Sequence, residues 1–91
     1  MATVYIPPTL QSLSAGATQV TVAATTVRQI VAQLEALYPG MADVLVEDGE
    51  LKPHIAVAVD GELSILGLLE RVSEDSEVHF IPALGGGSRD R

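Results

Sequence analysis

The 91-residue sequence contains no cysteine. Disulfides, thiolate metal sites and cysteine nucleophiles are therefore excluded together, and the composition fits a reducing cytosolic setting. Aromatic residues make up only 3% of the chain, which argues against a platform on which bases or sugars stack. No stretch approaches the roughly 20 apolar residues that span a bilayer, and no basic segment followed by an apolar run stands at the N-terminus. We therefore expect a cytoplasmic protein without a membrane partner.

Basic residues are also scarce, since five lysines and arginines stand against twelve acidic residues and leave a net charge of −7. A phosphate backbone has to be neutralised by lysine and arginine, so we expect no nucleic-acid partner. An acidic surface instead favours solubility and encounter with a basic protein surface. With 91 residues, 47% of them hydrophobic, the chain can enclose one core but not two, and we expect a single domain.

The first half of the chain predicts two strands. Residues 3–6 have strand character and are followed by two prolines, which cannot donate to a sheet ladder. Residues 18–23 alternate polar and apolar side chains with period two, which places Val20 and Val22 on one face. We expect these two strands to form a hairpin.

A helix follows the second strand. Thr26 and Gln29 have the spacing of a capping box, in which each side chain can satisfy a free amide of the first helical turn. Apolar residues then recur at helical spacing as one stripe, which consists of Val27, Ile30, Val31, Leu34, Leu37 and Tyr38. The side chains expected to point to water are Arg28, Gln33 and Glu35. Pro39-Gly40 ends the helix.

Three more strands are predicted in the second half of the chain. Residues 54–59 are rich in β-branched side chains and form a central strand that ends at a turn, residues 62–65 form a short strand, and residues 77–82 form the last strand. Val78 and Phe80 face the same way on that last strand. The order of elements predicts an α+β fold, with one main helix packed on one face of a mixed sheet of four to five strands.

The C-terminus carries three glycines, residues 85–87, with only four residues after them. Glycine has no Cβ, so such a run can enter a narrow tunnel in which a larger side chain would clash. A partner enzyme could then reach its terminal carbonyl. The alternative interpretation is a frayed terminus that follows the last strand.

Several segments resemble one family. The ending Pro-Ala-Leu-Gly-Gly-Gly over residues 82–87 is similar to the last strand and tail of the MoaD/ThiS group of ubiquitin-like sulfur carriers. Upstream segments that resemble this family, in the expected order, are residues 4–7, 34–40, 57–62 and 75–82. The resemblance covers residues 1–87, and the sequence looks closest to the cysteine-biosynthesis type of carrier. It implies a ubiquitin-like β-grasp domain over residues 1–82 and a flexible tail over residues 83–91.

The resemblance also implies a function. In this family an E1-like adenylating enzyme uses ATP to activate the C-terminal glycine carboxylate, which becomes a thiocarboxylate and donates its sulfur to a sulfur-accepting synthase. The implied reactive residue is Gly87, with Gly86 as the second choice. The residues implied to thread into the partner are Ala83, Leu84, Gly85 and Gly86. The chain would then be a carrier and not an enzyme, with no bound cofactor, and monomeric when free.

A partner must also dock on the folded body. The candidates are Phe80 and Pro82, together with Leu84 of the tail, because they lie next to the glycines. The alternatives are core packing for Phe80 and a plain strand end for Pro82. Tyr5 is either part of the same patch or an ordinary exposed strand aromatic, and the second interpretation is the default.

One feature departs from the family pattern. The last four residues, Ser88-Arg89-Asp90-Arg91, tie up the carboxyl that should carry sulfur in a peptide bond. By analogy with other ubiquitin-like precursors, we expect a processing metalloprotease to remove residues 88–91.

Other candidate sites are weak. His54 and His79 lie on predicted strands without a carboxylate or serine at a recognisable spacing, so we assign them no role. A loose acidic cluster fails the spacing of a calcium loop and is interpreted as a solvated loop; it comprises Asp43, Glu47, Asp48 and Glu50. Two alternative functions stay open, the small subunit of molybdopterin synthase and a ubiquitin-like protein modifier, although the single Lys52 limits chains of this protein on itself.

Overall fold

The computed structural model describes residues 1–82 of the chain. This part contains seven strands and two α-helices. In chain order they are β1 (Ala2–Tyr5), β2 (Gln19–Val22), α1 (Val27–Leu37), α2 (Met41–Leu45), β3 (Val46–Glu47), β4 (Glu50–Leu51), β5 (Ile55–Val59), β6 (Glu62–Leu63) and β7 (Glu77–Pro82). Short 3-10 helices lie at Pro8–Leu10 and Gly67–Leu69. Neither α-helix of this part has the length and apolar character needed to cross a membrane.

Five of the strands form the main sheet, in the order β2-β1-β7-β5-β6. The pair β1 and β7 is parallel, and the other three pairs are antiparallel. The mixed sheet and the single main helix match the prediction. The last strand has the predicted bounds and lies at the centre of the sheet, bonded on both sides.

The predicted hairpin of the first two strands is confirmed as an antiparallel pair, although a long segment and not a tight turn joins them. The ladder extends past β1, since the Ile6 amide donates to the Thr18 carbonyl at 2.9 Å. The joining segment is braced internally, because the Gln11 side-chain amide donates to the Ile6 carbonyl at 3.0 Å.

One hydrophobic core lies between the sheet and the helices. Its members on the main sheet are Ala2, Val4, Val22, Ile55, Val57, Val78 and Phe80. The helices add Val27, Ile30, Val31, Leu34, Met41 and Leu45. These sets contain Val78 and Phe80, which were predicted to face the same way on the last strand, and four of the six residues of the predicted helix stripe.

The start of α1 confirms the predicted cap and corrects one detail of it. Thr26 is the N-cap, and its hydroxyl accepts from the Gln29 amide at 3.2 Å. The Gln29 side chain does not return to Thr26. Its carbonyl oxygen accepts instead from the amide of Thr25 at 2.7 Å and from the Thr25 hydroxyl at 3.0 Å, because the chain before the helix turns towards it.

The end of α1 differs from prediction at two residues. Leu37 was expected in the buried stripe and is 53% exposed, because the helix ends at this residue. Glu35 was expected to point to water and is half-buried, with its carboxylate turned to the next helix. That carboxylate accepts from the amide of Ala42 at 2.9 Å and from the amide of Gly40 at 3.1 and 3.2 Å. These two donors, Ala42 first, hold the pKa of Glu35 below its ordinary value of 4.5.

Two Asp-Gly pairs form the tight turns of the remaining hairpins. Asp48 and Gly49 have φ of 56° and 81° between β3 and β4, and Asp60 and Gly61 have φ of 53° and 87° between β5 and β6. Positive φ at both central residues is the mirror-image turn that matches the twist of paired strands. Residues 47–50, whose acidic side chains were interpreted as part of a solvated loop, thus form the tip of a small second sheet, β3 with β4.

Candidate functional site

The tail leaves the body from the end of the central strand. Pro82, the last residue of β7, is paired with Ile55, the first residue of β5. The predicted threading residues Ala83, Leu84, Gly85 and Gly86, the predicted reactive Gly87 and residues 88–91 all lie outside the described residues. We call Pro82 the tail root, because it is the last described residue before the tail.

A concave apolar surface lies beside that root. Because β1 and β7 are parallel, their carboxyl ends meet at the same edge of the sheet. The chain that follows β1 then runs next to the last residues of β7 and encloses a cavity of about 460 Å³. We call this surface the root groove; it is lined by Tyr5, Ile6, Pro7, Pro8, Thr9, His79, Phe80, Ile81 and Pro82.

The proline side of the root groove is fixed by local hydrogen bonds. The Leu10 amide donates to the Pro7 carbonyl at 2.9 Å and closes the 3-10 helix that starts at Pro8. Neither Pro7 nor Pro8 has an amide hydrogen to donate to an incoming chain. Their rings can hold apolar side chains of a partner.

An aromatic pair borders the root groove. The rings of Tyr5 and His79 are stacked, with centroids 4.3 Å apart and planes 2° apart. Both residues belong to one row across the face of the sheet opposite the helix, which runs through Gln19, Tyr5, His79, Ala58 and Leu63. No role is predicted for His79 from the sequence, and the default interpretation of Tyr5 is an ordinary exposed strand aromatic, with membership of the docking patch as the alternative. Their contact depends on the parallel pairing of two strands that are far apart in the chain, which no local pattern contains.

The structure places the predicted docking residues in different surroundings. The Phe80 side chain lies in the core and is 3% exposed, which agrees with the alternative interpretation of Phe80 as a core residue. Pro82 is partly exposed in the root groove. Ile81, which the sequence argument passed over, is 44% exposed between them. Docking stays a prediction, and its exposed surface comes from Ile81 and Pro82.

The remaining candidates stay apart from this site. His54 was predicted on a strand but is exposed in the turn before β5, where the Ile55 amide donates to the Lys52 carbonyl at 2.9 Å. The acidic residues predicted as a solvated loop are distributed over α2 and the β3–β4 hairpin. Within residues 1–82, no group of three or more histidine, aspartate or glutamate side chains is placed to hold a metal ion.

Comparison with known proteins places this chain among small ubiquitin-like proteins. The model of the ThiS family matches residues 4–87. Small archaeal modifier protein 3 of Haloferax volcanii is 36% identical over 64 residues, which cover 68% of this chain and 70% of that protein.

Solved structures agree with this assignment. A chain in the crystal structure of the Amycolatopsis orientalis BexX/CysO complex superposes with a TM-score of 0.90 at 29% identity, over 96% of this chain and 100% of that one. Mycobacterium tuberculosis CysO superposes with a TM-score of 0.86 at 26% identity, over 92% of this chain and 100% of its own. These similarities confirm the predicted β-grasp fold.

Proposed function

The chain belongs to the ThiS family of ubiquitin-like sulfur carriers, and we propose that partner enzymes load sulfur onto its C-terminal glycine and take it off again. The observation that carries this proposal is the extent of the family match, which runs through Gly87 and stops before Ser88. Gly87 is accordingly the proposed reactive residue, with Gly86 as the second choice. The proposed location is the cytoplasm, and the free carrier is monomeric.

The proposed chemistry explains why the tail is glycine. A carboxylate is a poor electrophile, and transfer of AMP from ATP to the Gly87 carboxylate releases pyrophosphate and creates a good leaving group. Hydrosulfide supplied by a partner then attacks the acyl carbon and expels AMP. The resulting thiocarboxylate gives its sulfur to a sulfur-accepting synthase, and hydrolysis restores the Gly87 carboxylate. A strand without side chains lets the E1-like enzyme hold that carbonyl in line for attack. The carrier supplies the reacting carboxylate, and its partners supply the catalysis.

The proposed docking surface is the root groove with its aromatic border. An enzyme that draws in the tail has to bind the body at the same time, and the nearest exposed apolar side chains are Ile81 and Pro82. Tyr5 and His79 lie beside them as a flat ring pair. Aromatic side chains, tyrosine among them, are enriched at protein interfaces.

The four residues after Gly87 have to be removed before this chemistry can begin. While Ser88 is attached, the Gly87 carbonyl is an amide and cannot accept AMP. We assign the removal to a processing metalloprotease, which makes the full chain a precursor.

The proposal is tested by the intact mass of the protein purified from its native host. A chain that ends at Gly87, with the gain expected when one sulfur replaces one oxygen, supports both the cleavage site and the thiocarboxylate. A matched test uses two recombinant chains, one ending at Gly87 and one at Arg91, with the adenylating enzyme and ATP. Pyrophosphate release from the shorter chain alone is expected, and equal release from both would contradict the precursor model.

A protein modifier is the second candidate, because the relative from Haloferax volcanii is named a modifier. The same activated Gly87 would then form an amide with a lysine of another protein. Tryptic peptides of host proteins that carry a C-terminal remnant of this chain on lysine would support this function. If such peptides are absent under conditions that produce the thiocarboxylate, sulfur carriage is the only one of the two functions that is supported.

A further inference from the structure

A second concave surface, of about 610 Å³, lies on the other side of the tail root from the root groove. Its walls are the first turn of α1, the segment that joins β4 to β5, and the loop over residues 64–69. Ile55 lines this surface and is paired with Pro82, so the two concave surfaces are neighbours. We call it the basic cavity, because Arg28 and Lys52 line it.

Positive charge is concentrated in the basic cavity. Residues 1–82 contain three lysines and arginines, and two of them, Arg28 and Lys52, line this one surface with a single carboxylate, Glu50. The third, Arg71, lines a different cavity, whose acidic members are Asp60, Glu62 and Glu70. In a chain with a net charge of −7, the basic cavity is therefore a local exception.

Stabilisation of α1 does not explain why Arg28 stands at its position. It is the second residue of α1, where the helix dipole disfavours a positive charge, and the first turn contains no acidic side chain to compensate. The backbone of Lys52 is fixed, since its amide donates to the Leu45 carbonyl and its carbonyl accepts from the Ile55 amide, both at 2.9 Å. The fold thus holds two cations at one surface without using them to stabilise that helix end.

Aliphatic side chains border the same cavity and point away from the core. Ile65 is 97% exposed, Leu66 53% and Leu69 67%. Their loop is braced, because the Ser64 hydroxyl donates to Glu70 Oε1 at 2.6 Å and accepts from the Leu66 amide at 3.0 Å. Leu68 is buried and anchors the loop to the core. A fixed loop that exposes large apolar side chains side by side is typical of a surface that a partner covers.

We propose that the basic cavity binds a short segment of a partner protein in which two carboxylates flank aliphatic residues. The carboxylates pair with Arg28 and Lys52, and the aliphatic side chains pack on Ile65 and Leu69. The net charge of this protein repels long acidic chains, so the apolar contacts are required and the segment has to be short. This surface is separate from the tail chemistry and does not depend on it.

The experiment is a titration of the 15N-labelled full-length protein with an acetylated peptide that contains Asp-Leu-Ile-Glu between Gly-Ser ends. Backbone shifts are expected around the basic cavity, at residues 50–53 and 64–69. R28Q combined with K52Q should weaken binding by about tenfold, whereas the matched neutralisation R71Q should leave it nearly unchanged. The peptide with Asn and Gln in place of its acidic residues should also bind about tenfold more weakly.

The apolar half of the proposal has its own variants. I65S with L69S should weaken binding to a similar extent, and the control L37S, at another exposed leucine, should not. No shifts up to millimolar peptide, shifts confined to the root groove, or equal weakening by R71Q would each overturn the proposal. Shifts at the cavity that appear with protein concentration alone would replace it with contact between two copies of this chain.

Discussion

Tyr5 and His79 lie face to face across the parallel pair of β1 and β7, with ring centroids 4.3 Å apart. The stack joins the first strand to the strand that carries the tail, at the border of the root groove. It therefore fixes the relative position of the two walls between which the proposed partner docks.

The stack should stabilise the fold by an amount that can be isolated. Tyr5→Ala and His79→Ala, combined in a double-mutant cycle, should give a coupling free energy of about 0.5–1.5 kcal/mol in urea unfolding. The matched control is the cycle on Thr3 and Glu77, which are paired across the same two strands without rings. Equal coupling in the two cycles would show that strand pairing, and not stacking, is the source.

Phe80 and Ile81 should separate stability from docking. Phe80→Ala removes a side chain that is 3% exposed and should lower the free energy of unfolding by about 3–5 kcal/mol. Ile81→Ala, at a residue that is 44% exposed, should change stability by less than about 1 kcal/mol but raise the KM of the adenylating enzyme for the carrier. Phe80→Leu keeps the core filled. If it raises that KM as much as Ile81→Ala does, Phe80 contributes to docking after all.

Glu35 should make stability depend on pH in the acidic range. Its pKa in the folded protein lies below the ordinary value of 4.5, so its contribution is complete above that value and is lost as the pH falls through the folded-state pKa. Glu35→Gln should lower the urea midpoint near pH 7, and the difference from the unchanged protein should shrink as the pH falls below 4.5. Glu74→Gln, in an exposed loop, serves as the control, and a difference that stays constant with pH would contradict the assignment.

The helix cap should matter more than the residue before it. Thr26→Ala removes the acceptor of the Gln29 amide and should cost about 1 kcal/mol of stability. Thr25→Ala removes only the hydroxyl contact to Gln29 and keeps the backbone contact, so its cost should be smaller. Thermal unfolding of both variants shows which loss of stability is larger. A larger loss for Thr25→Ala would show that the Thr25 hydroxyl contributes more to the cap than the Thr26 hydroxyl does.

Local patterns were enough for the elements that depend on neighbours in sequence. The bounds of β7 follow from its alternation of inward and outward side chains, and the start of α1 follows from the Thr26 cap. The helical period identified the inward face of α1 but not the point along the helix at which the core ends. Leu37 was therefore wrongly placed in the buried stripe. The β-branched run of β5 gave a strand, but not the turn that removes His54 from it.

The surroundings of the tail could not be predicted in the same way. The root groove exists because β1 and β7 are parallel neighbours, a pairing between the two ends of the described chain. The residues that line it are mostly apolar, and nothing in their own segments distinguishes them from ordinary strand exits. The exposure of Ile81 and the burial of Phe80 follow only from which face of β7 the helices cover.

The central position of β7 has a mechanical consequence. Under the proposed function, a partner that draws in the tail pulls along the axis of β7, whose hydrogen bonds to β5 run across that direction. Those bonds are loaded together in shear and not opened one after another from the end. The body is therefore a firm anchor against the pull.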